Sequence, residues 1–529
     1  MTWRLDGPQG GEIAKIRWEL VPYTRGKGLD LGCGPEKGFP HFRGIDSNKD
    51  EAMFGIRASG ADFIIPTCEE LTDFASGSQD FIVSSHLLEH IKDHEKALRE
   101  WWRVLRPGGH LCLYLPHKLF YPNIGTEGAN PDHVHDFMPD DIINVMKGVG
   151  GWDLIENQDR NEGDEYSFFQ VYKKYADGKL HRYSCREPKP AKTCAIVRYG
   201  AWGDVIQMSS ILPGLKEAGY HVTLYTIPRA WEAVKHEPLI DKVILQDPEQ
   251  VPNAWLGGFF DALRLKYDKF VNLCESVEGS LLAMAGRATF DWSQEARHAY
   301  MNHNYIEHTH RIAGVRFEKP LMRFVANEKE QKWAKEERAR MKAEKVVLWV
   351  LRGSAVHKVW SGGIDTQNNI TGFDGVIARI LQQWPHAKIV TVGDESAKKT
   401  IEAPWAELKE PRVVLRSCVW DIRQTMAFAK ECDIVIGPET GVMSAVAMEP
   451  MRKIVFLSHS TVENLTKNWV NTTSLFSRNV PCSGCHKLIH NWDQCVQDGT
   501  SGIAACQADI HPSEVWDAIC ETFAEQEAA

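Results

Sequence analysis

The sequence predicts an α/β protein built from three Rossmann-like doubly wound units, and three observations predict it. Apolar strand-like runs alternate with helical patterns from Gly28 to about Tyr175. The alternation stops in the polar, proline-bearing stretch ADGKLHRYSCREPKPAK and restarts at Thr193. It restarts again with VVLWVLRG after the charged run Asn327–Lys345. Repeated strand–helix alternation of this kind implies parallel sheets with helices on their faces.

The first unit, 1–175, opens on KGLDLGCGPEKGFPHFRGIDSN. An apolar run ending in Gly32 and Gly34 places a side-chain-free turn at the carboxyl end of a strand, where a backbone approaches a nucleotide. Asp46 closes the second apolar run, where an acid accepts ribose hydroxyls. About a dozen residues separate Gly34 from Asp46, near the ~12-residue minimum of a parallel crossover, so a full helix hardly fits. Then follow a strand at Phe81–Ser84, an amphipathic helix, an LRPGG turn at Arg106–Gly109, and another strand.

These features in this order resemble the class I S-adenosylmethionine-dependent methyltransferases over about the first 175 residues. The resemblance implies that Asp30, Gly32 and Gly34 surround the methionine portion of the cofactor and that Asp46 binds its ribose. Asp62 in GADFI is a candidate for the adenine edge, and His86 in SSHLLEH for the methyl group. Glu36 stands where relatives carry a third glycine. In NPDHVHDF, His133 or His135 is a candidate base for a hydroxyl acceptor, and the alternative is a polar loop satisfied by its own backbone. The spacing His86, Glu89, His90 suggests a metal only faintly, because it sits in the methyltransferase pattern.

Residues 176–192 read as a linker, and 193–326 as a new lobe. In RYGAWGDVIQMSSILPGLKEA, Asp204 falls in the first turn of a helix, open to two readings, helix cap or catalytic base. The charged stretch 327–345 reads as a connecting helix and 346–529 as a second lobe. There, LRGSAVHKVWSG offers Arg352, Ser354 and Lys358 to a diphosphate, and CDIVIGPETGVMS places Glu439, Thr440 and Gly441 at a helix start suited to a phosphate.

Together these runs resemble glycosyltransferase family nine, the heptosyltransferase-like enzymes of two-lobed GT-B fold, over about Thr193–Ala518. The resemblance implies inverting, metal-independent transfer from an ADP-heptose-like donor. Asp204 would be the general base, with Arg352, Lys358, Thr440 and Gly441 on the nucleoside diphosphate. Ser444 occupies the position where relatives have histidine.

PCSGCHKLIHNWDQC with a later thiol gives Cys482, Cys485, Cys495 and Cys506, and His486 or His490 can replace one of them as a ligand. A structural zinc, free thiols and a disulfide all remain open.

The whole is expected to be a bifunctional transferase acting on a glycan or lipid-linked glycan with S-adenosylmethionine and a nucleotide-sugar. The alternatives are sugar transfer with a non-catalytic methyltransferase-like module, and modification of nucleic acid or protein. A net charge of −10 argues against a dedicated nucleic-acid binder, whereas 18 tryptophans leave base stacking open. MTWRLDGPQGGEIAK lacks the apolar core of a signal peptide and no run approaches a membrane helix, so a cytoplasmic location is expected.

Overall fold

The structure is a computed structural model that describes residues 11–47, 60–274, 279–360, 364–365 and 370–528. Met1–Gly10 of the N-terminal run, and Ser361 and Gly362 at the end of LRGSAVHKVWSG, lie outside the described residues. The chain folds into two compact units, Met1–Ala191 with Ile244–Asp268, and Lys192–Val243 with Lys269–Ala529.

The first unit is an eight-stranded sheet. Its strands are β1 (Gly28–Leu31), β2 (Arg43–Asp46), β3 (Phe63–Ile64), β4 (Gln79–Ser85), β5 (Leu105–Pro116), β6 (Trp152–Arg160), β7 (Ser167–Lys174) and β8 (His181–Arg182), in the order β3-β2-β1-β4-β5-β7-β6-β8. β1 to β5 pair in parallel, and β7 runs antiparallel between β5 and β6. No helix forms between β1 and β2, as the short spacing predicts. The central strands are largely apolar and buried, as parallel strands under covering elements are.

Helix His94–Val104 lies between β4 and β5. Its amphipathic pattern buries Ala97, Leu98 and Trp101, and the Asp93 side chain caps it by accepting from Lys96 N at 2.9 Å. Trp101 is fully buried and its Nε1 donates to Cys68 O at 2.9 Å, so truncation to alanine there costs about 3–5 kcal/mol.

Three expectations change here. The LRPGG segment is not a turn followed by a strand. β5 already begins at Leu105, and the glycines are taken up as an irregularity in its register with β4, Gly108 having φ +80°. The stretch 176–192 is not a free linker, because it adds β8 to the sheet and stacks His181 and Tyr183 on Trp152. The expected lobe 193–326 is interrupted, since Ile244–Asp268 packs with the first unit: Trp255 and Phe259 meet Trp18, and Asp247 pairs with Arg25.

Among the described residues, the second unit holds two larger sheets and two two-stranded pairs. The first has β9 (Thr193–Val197), β10 (His221–Thr226), β11 (Lys242–Leu245) and β12 (Lys269–Asn272) in the order β11-β10-β9-β12. β13 (Ala283–Met284) pairs instead with β22 (Lys487–Leu488). The second is wholly parallel, with β14 (Lys345–Val350), β17 (Ala387–Val392), β18 (Val413–Leu415), β19 (Ile434–Pro438), β20 (Arg452–Phe456) and β21 (Thr472–Leu475) in the order β18-β17-β14-β19-β20-β21. A small antiparallel pair, β15 (Ile364–Asp365) and β16 (Ile370–Thr371), stands apart.

The charged run forms helix Glu328–Arg340, but it is more than a connector. It packs on helix Ile422–Ala429, where Glu330 holds the buried Arg423 through both carboxylate oxygens at 2.5 and 2.7 Å.

Candidate functional sites

At the carboxyl end of β1 the chain turns through Gly32 (φ +68°) and Gly34 (φ +58°), left-handed conformations that suit glycine. Two carboxylates fasten this loop from opposite sides. Buried Asp30 accepts from Gly38 N at 2.9 Å, and Asp46 accepts from Gly34 N at 3.0 Å and Ser47 N at 2.8 Å. Burial raises the Asp30 carboxyl to about 7. Asp62 accepts from Gly44 N at 2.8 Å and pairs with Lys37 at 2.9 Å, so its carboxylate holds the loop's flank.

A Cβ on Gly34 would point into open space, whereas one on Gly32 would touch Leu87 at 3.0 Å. At the end of β4, Ser84 Oγ and Ser85 Oγ are buried without hydrogen-bond partners. Open space beside a glycine loop, with orphaned hydroxyls next to it, fits a polar cofactor.

Beyond β4 the chain gathers histidines. His86 (φ +50°) sets Nε2 2.8 Å from Ser167 Oγ and 3.6 Å from Glu12. Burial, with Lys15, His133 and His90 nearby, holds it well below its ordinary value, so it is neutral. His133 is buried and lies 3.9 Å from Glu89. His135 instead places Nε2 3.1 Å from the carbonyls of Ile91 and Lys92, so that nitrogen carries the proton and cannot accept one. Of the two expected bases, His135 is thus tied to backbone at Nε2.

In the second unit, β9 is followed by Arg198, a buried residue whose guanidinium donates to Leu273 O at 2.9 Å and pairs with Asp204 at 3.1 Å. Asp204 also accepts from Ala201 N at 2.8 Å at the start of helix Trp202–Met208. The cap reading is therefore present in the fold, together with a guanidinium that keeps the carboxylate oriented.

Helix Gly441–Val446 begins directly opposite, its Gly441 Cα 3.6 Å from where a Cβ on Gly203 would lie. Thr440 precedes it with Oγ1 buried and unpartnered. Arg352 Nε likewise makes no hydrogen bond, its nearest acid being Asp394 at 3.5 Å. Lys358 folds against Gly353, whose Cβ would meet both Lys358 and Thr440, and Ser354 is exposed on the same turn.

Glu439 departs from the expected donor-binding role. It is buried and spent on the protein itself, accepting from Ser458 N at 2.5 Å and Ser460 Oγ at 2.8 Å and facing His459 Nδ1 at 2.8 Å. Burial works against its charge, but His459, Lys358 and the Ser458 N–H outweigh it and hold the carboxyl well below the usual range. Ser444 donates to Thr440 O at 3.2 Å, a small residue where the two helices meet.

Cys482, Cys485, Cys495 and Cys506 line one cavity of about 110 Å³ with Arg297, His357 and His459. All are free thiols, which disposes of the disulfide reading among them. No three of these sulfurs lie within 4.8 Å of one another. His486 is buried beside them with both ring nitrogens unpartnered, while His490 is exposed. Burial, then the neighbouring thiols, raises Cys485 to about 11, and burial followed by Cys482 does the same to Cys495.

Sequence reasoning missed three partners: Arg198 behind Asp204, the His357–His459 pair behind Glu439, and His133 beside Glu89. The SHS run after β20 was an available signal for the second. The third joins residues more than forty positions apart and had none.

Residues 29–113 match the family described as a methyltransferase domain. Among curated proteins, the chain is 34% identical over 128 residues to an uncharacterized 37.1 kDa protein in a transposon of Streptomyces fradiae, covering 20% of this chain and 36% of that one. It is 32% identical over 94 residues to the thiol S-methyltransferase TMT1A of Homo sapiens, covering 15% of this chain and 38% of that one. The chain thus spans little more than a third of either relative. Among solved structures, a family 9 glycosyltransferase of Veillonella parvula is similar over 64% of this chain and 98% of its own, at 13% identity and TM-score 0.43. ADP-heptose heptosyltransferase II of E. coli is similar over 64% and 99%, at 12% identity and TM-score 0.42. The chain carries a methyltransferase domain over residues 29–113, and the solved structures similar to 64% of it include a family 9 glycosyltransferase and a heptosyltransferase.

Proposed function

We propose that this chain is a bifunctional glycan-modifying enzyme. Its second unit transfers a sugar, heptose-like and carried by ADP, to an acceptor hydroxyl with inversion. The methyltransferase domain methylates the same or a related glycan with S-adenosylmethionine.

The observation that carries the reading is the close approach of Gly203, the residue before Asp204, to Gly441 at the start of its helix, Gly441 Cα lying 3.6 Å from where a Cβ on Gly203 would be. Asp204, held by Arg198, is placed to take the acceptor's hydroxyl proton as the new glycosidic bond forms and the sugar–diphosphate bond breaks. Arg352, Lys358 and the unpartnered Thr440 hydroxyl suit the leaving nucleoside diphosphate, whose charge grows as it departs. In the first unit, Asp46 and the open side of Gly34 suit the ribose and methionine portions of the cofactor. The four-thiol cavity, with His486 beside it, supports a structural zinc once its sulfurs draw together. No helix among the described residues is long and apolar enough to cross a membrane.

The test is donor hydrolysis and transfer against a panel of nucleotide-sugars, comparing wild type with Asp204→Ala and Lys358→Ala. ADP-sugar turnover should fall at least ~100-fold in both variants, as loss of a base or of charge stabilisation does. Turnover undiminished by both changes refutes the site. A thermal shift with S-adenosylmethionine that Asp46→Ala abolishes supports the second activity. No shift in wild type favours a non-catalytic module, the reading that Glu36 in the loop recommends.

A further inference from the structure

We propose that Glu89, His90 and His133 form a binding site for a first-row divalent metal ion in the methyltransferase unit. Among the described residues, this is the group of three whose ligand atoms all lie within 4.8 Å of one another.

Its vertex is Glu89 Oε1, 3.9 Å from His90 Nε2 and 3.9 Å from His133 Nε2. Ligands at about 2.1 Å from one ion stand ~3.0–3.4 Å apart in cis positions, so closure needs a contraction of roughly 0.5–0.9 Å. The imidazoles meet edge to face, their centroids 4.7 Å apart.

The surroundings prepare each ligand. His90 Nδ1 lies 3.1 Å from Asp132 O and donates to it, which leaves the Nε2 lone pair turned toward Glu89. Asp132 and His133 belong to one loop, and that loop is stitched to Glu89 by its backbone: Val134 N and His135 N donate to Glu89 O at 2.9 and 3.2 Å. The Glu89 carboxylate is 1% exposed, and neither of its oxygens has a hydrogen-bond partner. A buried carboxylate with both oxygens bare is costly unless something positive takes it up.

Burial pushes Glu89 up to about 8, and burial lowers both histidines. The titratable groups facing the site are the neutral His86 (3.8 Å from Glu89 Oε1), Glu12, Asp132 and Asp136, and among the described residues no lysine or arginine pairs with Glu89. Two neutral imidazoles and one carboxylate form the donor set of divalent first-row ions, with positions left open for oxygen ligands. Leu87, two residues away, touches the glycine loop at Gly32, so those positions lie near the proposed cofactor pocket. An acceptor hydroxyl is the chemical class they fit. The metal site itself stands whether or not methyl transfer occurs.

The probe is Mn²⁺ alone, followed by loss of the free-ion EPR signal on titration into full-length protein. Manganese prefers nitrogen and oxygen to thiolate, so the cysteine cavity does not compete. Wild type should bind one ion per chain. Glu89→Gln should weaken binding at least tenfold, and Cys485→Ser should leave it unchanged. Should Glu89→Gln fail to fold, His90→Gln at the partly exposed edge carries the same expectation. Absence of Mn²⁺ binding by wild type, or equal binding by the glutamate or His90 variant, overturns the site.

Discussion

Replacing Gly441 by alanine probes the approach of the two helices on which the sugar-transfer reading depends. An added Cβ would lie 2.8 Å from Trp202 Cβ, 3.1 Å from Gly203 N and 3.5 Å from Met426 Cε. Carbon atoms rest at about 3.5–4.0 Å, so the helix starts must part by roughly 1 Å. The first two obstacles belong to the opposing main chain or its Cβ, not to a flexible tip that could swing away.

Overpacking of this kind costs about 2–3 kcal/mol, and alanine's better helix propensity returns up to ~1 kcal/mol. The net loss of about 1–2 kcal/mol corresponds to roughly 1.5–3 °C in the melting of the second unit. Differential scanning calorimetry reads it, with Gly499→Ala in the same unit as control. A Cβ at Gly499 meets nothing within 4 Å, so that variant should melt at or slightly above wild type. Parting helix Gly441–Val446 from helix Trp202–Met208, which carries Asp204, should also lower donor turnover. A Gly441→Ala protein that melts with wild type and turns over donor equally refutes the close approach.

Two further outcomes are expected. Asp30 has its folded carboxyl raised to about 7 against an ordinary 3.8, so the folded state keeps a proton that the unfolded state has lost. Its contribution is fully present below pH ~4 and fades as pH rises through 7, up to roughly 4 kcal/mol in all. Asp30→Asn should therefore flatten the decline in first-unit stability between pH 4 and 7, and an unchanged pH–melting slope refutes this. At the four-thiol cavity, burial keeps Cys485 and Cys495 protonated at neutral pH, so zinc uptake should release at least two protons per ion, measured with an indicator dye. Chelation should reverse it and lower the melting temperature, whereas zinc uptake without proton release refutes thiolate ligation.

Much of this architecture was legible because strands at a parallel sheet's centre must be apolar throughout. β1, β4, β9, β14 and β19 each read as such a run, and the Gly32–Gly34 turn and Asp46 fall where the pattern puts them. The segment Ile244–Asp268 was not legible. Its apolar helix, with Phe259 and Phe260, looks the same whichever unit covers it, because periodicity states that a face is buried and never against what. The surroundings of Glu439 were illegible for a related reason. An acid before a helix start reads as ligand-facing, yet its fate was decided by Ser458, Ser460 and His459, brought in from the end of another strand. Arg198 was legible as a residue and illegible as a partner of Asp204, since the guanidinium's direction is set by Leu273 O across the sheet.

The route of Ile244–Asp268 has a consequence for how this protein can be taken apart. The first unit owns a piece of chain encoded in the midst of the second, so no single cut divides the sequence into two self-sufficient products. A fragment ending at Ala191 leaves Trp18 and Phe39 without Trp255, and Phe39 is fully buried in the whole. The complementary fragment carries Phe259 and Phe260 with no first unit to cover them. During synthesis the first unit stays unfinished until Asp268 has emerged, by which point the second is already begun. The methyltransferase domain is thus woven into its neighbour's reading frame, and the two are inherited, translated and folded as one piece.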